Sequence, residues 1–211
     1  MNVKLIAVSK PVIEGVTTAE DLISYCARVS NPTNQLNTAT APRLLKYCID
    51  HEHWSIFEHA SMTVEIRTSR AIAAQVLRHR SFTFQEFSQR YSVAQVIEDL
   101  ELRKQALKNR QSSTDTFLDN TVNSIAQHAI DIAVSAYNKL IELGVARECA
   151  RMILPLATQT TMYMTGSCRS FIHYINLRTK EDTQKEHRLI ALEVQKIFKE
   201  QFPSVAEALN Y

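Results

Sequence analysis

The chain has 211 residues, 45% of them apolar and 22% charged, with 24 basic against 22 acidic side chains. This is the composition of an ordinary globular domain with a sizeable core, and a net charge of +2 excludes a global field that would gather nucleic acid or anionic membrane. The three glycines, Gly15, Gly144 and Gly166, exclude a glycine-rich phosphate loop and with it a Rossmann or Walker nucleotide site.

In chain order, Val3 to Val8 reads as a strand. The opening MNVKLIAV has no signal-peptide layout, so the cytoplasm is the expected compartment. No apolar run approaches the length of a membrane span. Residues 19–29 and 41–51 read as helices, the second with Pro42 in its first turn, where a missing N–H costs little. Ala60 to Arg67 alternates Met62, Val64 and Ile66 against Ser61, Thr63 and Glu65, the pattern of a strand with one wet face. Ser69 then caps a short helix.

The stretch 92–113 is polar and rich in Gln and Lys; it reads as a solvated helix or a lid, with the helix favoured. Across 114–143, Leu118, Val122, Ile125, Ala129, Ile132, Ala136, Leu140 and Leu143 recur at steps of three and four. They predict one long helix capped by Ser113 or Thr114 and closed at Gly144. At 1.5 Å per residue it would run about 45 Å, so its apolar stripe is expected in the core or against another subunit. Helices follow at about 167–178 and 183–201, the latter stopped by Pro203. No repeat or linker divides the chain, so residues 1–211 read as a single domain. Strands lie early, helices dominate late and βαβ alternation is missing, which gives an α+β class with one long helix.

Four scattered cysteines form neither a disulfide framework nor a zinc knuckle. Cys26 and Cys48 read as core fillers. Only Cys168, beside Arg169, has a neighbour that would lower a thiol pKa.

The most informative run is RHRSFTFQEFSQRY, residues 78–91. Arg78, Arg80 and Arg90 suit phosphate oxygens two bonds at a time, and Phe82, Phe84, Phe87 and Tyr91 offer faces to flat heterocycles. If Phe84 to Arg90 is extended, Glu86, Ser88 and Arg90 share one face. Gln75 and Arg78 share a face at the end of the preceding helix, so one pocket is expected to receive Gln75, Arg78, Ser88 and Arg90. Downstream, Arg169, His173 and Asn176 fall on one helical face and Arg178 on the opposite one. In HEHWSIFEH, residues 51–59, three histidines and two carboxylates tempt a metal assignment, but their spacing matches no closed ligand set and no metal is expected. Ser55 to Glu58 instead fits a capping box.

RHR, seven residues, then Ser-x-Arg-Tyr resembles the signature of the flavin-dependent thymidylate synthases, which methylate dUMP to dTMP. Gln75, the H-x-[ST]-x-x-E-H match at 53–59 and the A-R-x-x-L-P match at 150–155 extend the likeness over about residues 50 to 200. The resemblance implies a small twisted, largely antiparallel sheet flanked by helices, and a homotetramer with shared active sites. It implies FAD as cofactor, with NADPH and 5,10-methylenetetrahydrofolate as co-substrates. It assigns FAD to Ser55, Arg78, His79, Arg80, Glu86, Ser167, Cys168, Arg169 and His173, with His53 and Glu58 as weaker candidates. It assigns dUMP to Gln75, Val76, Leu77, Arg78, Glu86, Phe87, Ser88, Gln89, Arg90, Arg151 and Arg178, with Arg151 donated by a neighbouring subunit. Many members carry Asn where Ser167 stands and some carry Asn where His173 stands; both replacements still hydrogen-bond. Arg147 stays a structural candidate.

Methylation at C5 requires electron density that neutral uracil lacks. No cysteine here sits where one could add to the ring, so loss of the N3 proton is the alternative, and Arg178 is assigned to favour the anion. Two other classes compete: a single-stranded nucleic-acid module using residues 78–91, and a metallohydrolase built on residues 51–59.

Overall fold

The computed structural model describes residues 1–93 and 96–211. Its elements in chain order are β1 (Asn2–Val8), α1 (Ala19–Ala27), α2 (Ala41–Asp50), β2 (Ser61–Ser69), α3 (Arg70–Val76), β3 (Thr83–Glu86), β4 (Arg103–Gln105), β5 (Ser113–Thr116), α4 (Asn120–Glu142), α5 (Arg147–Ala150), β6 (Gln159–Ser167), α6 (Cys168–Arg178), α7 (Lys185–Gln201) and α8 (Pro203–Ala208). Short 3-10 turns occupy Pro32–Asn34, Thr38–Thr40, Trp54–Glu58 and Arg151–Ile153.

Alternation builds the sheet. Met62, Val64, Ile66 and Thr68 of β2 and Thr160, Met162 and Met164 of β6 are buried, while their neighbours turn outward. The four strands pair antiparallel in the order β1-β2-β6-β3. Their apolar face packs against Phe171, Tyr174 and Ile175 of α6 and Ile190, Val194 and Phe198 of α7 in one cluster. An antiparallel sheet covered by helices is the α+β architecture expected.

β2 and β6 each run straight into a helix through a capping serine. Ser69 Oγ accepts from the Ile72 N–H and Ser167 Oγ from the Ser170 N–H. Because the strands are antiparallel, with Ser61 opposite Ser167 and Ser69 opposite Gln159, α3 and α6 leave from opposite ends. α6 then runs back until Arg178, at its end, meets the turn after α3.

Three expectations are corrected. The long helix has 23 residues and starts at Asn120, where Asp119 accepts from the Thr121 N–H; at 1.5 Å per residue it spans about 34 Å. Leu118, counted in its stripe, lies before it and is 92% exposed, while Ser113 and Thr114 belong to β5. Gly144, at φ +84°, closes the helix as read. The stretch 92–113 is not a helix where described (residues 94 and 95 lie outside the described residues). β4 pairs with β5, and Gln105 Nε2 holds the connection by reaching the carbonyls of Ala106, Asn109, Arg110 and Ser112. Finally, Trp54–Glu58 is a 3-10 turn with His53 at its N-cap and no side-chain cap, so the Ser55 capping box does not form. Among the described residues, no helix is long and apolar enough to cross a membrane.

Candidate active site

The turn after α3 and the end of α6 create the central contact. Arg178 Nε donates to His79 Nε2 at 2.9 Å. His79 is buried edge-on against Tyr174, with ring centroids 5.0 Å apart, and against His187 at 6.1 Å. Burial first, then the charges of Arg178 and His173, hold its pKa down at about 4. It is therefore neutral near pH 7, with its proton on Nδ1. Burial, Arg178 and His79 hold His187 at about 3. With Nε engaged, the two terminal nitrogens of Arg178 have no protein partner among the described residues, and its side chain is only half-buried.

Gln75 closes the same group. Its Nε2 donates to Gln184 Oε1 at 2.6 Å, and its Oε1 lies 3.4 Å from His187 Nδ1. His187 and Gln184 were not anticipated. A lone His on the apolar face of a helix carries no signal that separates it from a core residue. Val76 is fully buried in the core, while Leu77 and Arg78 are exposed.

Ser88 and Arg90 follow the end of β3. β3 ends at Glu86, one further rung joins the Phe87 N–H to the Thr161 carbonyl, and the chain then turns, with the Tyr91 N–H on the Ser88 carbonyl. The shared extended face of Glu86, Ser88 and Arg90 is thus not formed. Arg90 pairs with Glu148 at 3.0 Å, and Arg147 Nη1 donates to the Tyr91 carbonyl at 3.1 Å, the structural role read for it. Two surface hollows of about 350 and 400 Å³ meet at Ser88 and Tyr91, one walled by Phe87 and Tyr163, the other by Arg90 and Arg147. One oxygen of the Glu86 carboxylate, Oε1, accepts from both Arg70 and Thr160, and Gln89 is buried with its Nε2 unpaired among the described residues. Arg151 lies half-buried in the 3-10 turn after α5. Among the described residues no hydrogen bond joins this group to Gln75 or Arg178.

A third group lies at the start of α6. Arg169 pairs with Glu58 at 3.2 Å, and Ser170 Oγ donates to the Ser81 carbonyl, tying α6 to the RHR turn. Ser55, His173 and Arg169 are exposed. Arg169 and Arg178, at the two ends of α6, meet different partners. Arg78 and Arg80 are exposed, with no acidic partner among the described residues. Cys168 is a correction. Its side chain is buried in the core, its amide is spent on the Ala60 carbonyl, and burial pushes the thiol up rather than Arg169 pulling it down.

Among the described residues, no three His, Cys, Asp or Glu side chains converge as a metal site. His51 stacks on Tyr47 and bonds its carbonyl. Of the four Phe and Tyr rings in residues 78–91, Phe82 is buried against Phe171 and Tyr174 and Phe84 is half-buried, while Phe87 and Tyr91 are exposed.

The family described as "Thymidylate synthase complementing protein" matches residues 12–204 of this chain. A probable flavin-dependent thymidylate synthase of Paramecium bursaria Chlorella virus 1 is 57% identical over the whole of both chains. The chain belongs to the flavin-dependent thymidylate synthases.

This places it among methyltransferase enzymes. A second member of the synthase family, from a Synechocystis species, is 51% identical, again over the whole of both chains. The solved UMP/dUMP methylase PolB from Streptomyces cacaoi, bound with 5-Br dUMP, superposes with a TM-score of 0.85 at 26% identity, covering 99% of this chain and 94% of that one. Within the synthase fold, the RHR turn and both ends of α6 lie together through the His79–Arg178 and Ser81–Ser170 contacts.

Proposed function

We propose that this chain reductively methylates dUMP to dTMP, with Arg178 promoting ionisation of the uracil ring. One observation carries the reading: a half-buried guanidinium tethered through Nε to a neutral imidazole, its terminal nitrogens left to a ligand. Such a fork pairs with the N3 and O2 edge of uracil and favours the ring that has lost its N3 proton. The negative charge then spreads to C5, the carbon to be methylated. Methylenetetrahydrofolate is the proposed carbon donor.

The residues at the start of α6 fit FAD. Arg78 and Arg80 present exposed guanidiniums suited to its diphosphate, and Ser55, Ser167, Arg169, His173 and the RHR turn add hydrogen-bonding groups. When bound, FAD supplies the hydride that completes the methyl group, drawn from NADPH. Glu86 serves FAD or dUMP through the second oxygen of its carboxylate or through the backbone of the edge strand β3, since Oε1 is engaged by Arg70 and Thr160.

The nucleotide phosphate is assigned to Ser88 and Arg90, with Gln89, Phe87 and Arg151 around it. We propose a homotetramer in which neighbouring subunits complete each site, with Arg151 donated by a neighbour. Ile125, Ile132 and Leu143, apolar and exposed on and beside α4, support a subunit contact. Residues 1–211 act as a single domain in the cytoplasm. The test is direct: purified protein should be yellow, be bleached by NADPH, and form dTMP from dUMP and methylenetetrahydrofolate. Colourless protein that forms no dTMP when supplied with FAD would refute the reading.

A further inference from the structure

Glu186 decides the direction of a chain of hydrogen bonds that ends beside Arg178. A carboxylate only accepts. Glu186, in the first turn of α7, takes Arg103 Nη2 on one oxygen at 2.6 Å and Gln184 Nε2 on the other at 3.0 Å. The Gln184 amide therefore turns its nitrogen to Glu186 and its oxygen to Gln75, whose Nε2 donates across 2.6 Å. Gln75 must then face His187 with its own oxygen, and an amide oxygen also only accepts. The proton in that 3.4 Å contact belongs to His187 Nδ1. His187 is fully buried, and its Nε2, left as a bare lone pair, has no partner among the described residues.

We propose that Arg103, Glu186, Gln184 and His187 form a directional relay that fixes the amide of Gln75 and so decides which polar atoms it shows to a pyrimidine ring. The proposal rests on the reading of this site as a dUMP site. Gln75 spends one N–H and one lone pair inside the relay and keeps one of each for a ligand. A uracil edge alternates acceptor, donor and acceptor, so a flipped amide would set donor against donor. His187 and Glu186 act through Gln75 and are positioning residues. The relay also gives the β4–β5 hairpin a task, since Arg103 anchors it from β4.

The experiment measures dUMP binding to the flavin-loaded protein by calorimetry. His187→Leu removes the donor, whereas His187→Asn places an amide N–H where Nδ1 stood. The expected result is binding weakened about fivefold to tenfold in His187→Leu, the worth of one misaligned hydrogen bond, and about wild-type binding in His187→Asn. Because the relay acts through Gln75, His187→Leu should add little to Gln75→Ala in the double variant. Losses that multiply in full would overturn it. Should His187→Leu not fold, Glu186→Gln unpins the chain from its other end, and the same cycle with Gln75→Ala decides. Nitrogen-15 spectra of the histidines read the tautomer without any ligand: His187 must be the Nδ1–H form, and the Nε2–H form overturns the relay. Wild-type protein with that tautomer but no affinity for dUMP would count against the proposed function and not against the relay.

Discussion

Arg178 Nε and His79 Nε2 lie 2.9 Å apart, a bond that exists only while the imidazole is neutral. The guanidinium thereby gains a fixed heading, and its terminal nitrogens stay available. His79→Leu should lower turnover about 10-fold to 100-fold, the worth of a hydrogen bond to a charged group. His79→Gln, which keeps an acceptor, should recover part of that loss. Flavin content measured alongside separates this role from FAD binding. Equal turnover in His79→Leu and wild type would show that Arg178 needs no such anchor.

Stability should depend on pH through the same two rings. His79 and His187 titrate at about 4 and about 3 in the folded chain, below the usual value near 6.5. Between these values the unfolded chain holds protons that the folded chain does not, so stability is full above about pH 6.5 and falls as pH drops toward 4 and then 3. The slope reaches about 1.4 kcal/mol per pH unit for each histidine. Urea unfolding at pH 7.5, 6 and 5 reads it, and His187→Leu should flatten the slope. Stability unchanged from pH 7.5 to 5 would contradict neutral buried imidazoles.

Gly166 supports the RHR turn from beneath. A Cβ there would come within 2.5 Å of the Phe82 ring, and that ring is already held edge-on by Phe171 at 4.9 Å. Gly166→Ala should destabilise the chain by about 1–3 kcal/mol, the cost of overpacking a filled core. Trimming the ring in a Phe82→Leu background should restore part of it. Thermal unfolding of the three variants provides the comparison, and an unchanged midpoint in Gly166→Ala would refute the contact.

Much of this was legible in the sequence where one pattern acted alone. The alternation of Met62, Val64 and Ile66 placed β2, and the serine before α3 marked its cap. Patterns that compete locally misled. Leu118 continues the apolar spacing of α4, yet Asp119 captures the Thr121 N–H and starts the helix after it. Lys and Gln around Arg103 favour a helix by propensity, but cross-strand pairing and the Gln105 amide stabilise a hairpin. β6 was missed because its threonines and methionines read as neither strong strand nor helix until β2 and β3 flank them. His79 was visible through the signature, and Gln75 and Arg178 through the wider family resemblance around it. Their partners His187 and Glu186 are ordinary helix residues whose meaning exists only in three dimensions.

The most direct test concerns Arg178 itself. Turnover of dUMP to dTMP should fall by roughly three orders of magnitude or more in Arg178→Ala, as for loss of a charge that acts on the developing anion. Flavin content and folding should stay at wild-type levels. A variant that keeps its flavin and turns over within about twofold of wild type would contradict the account.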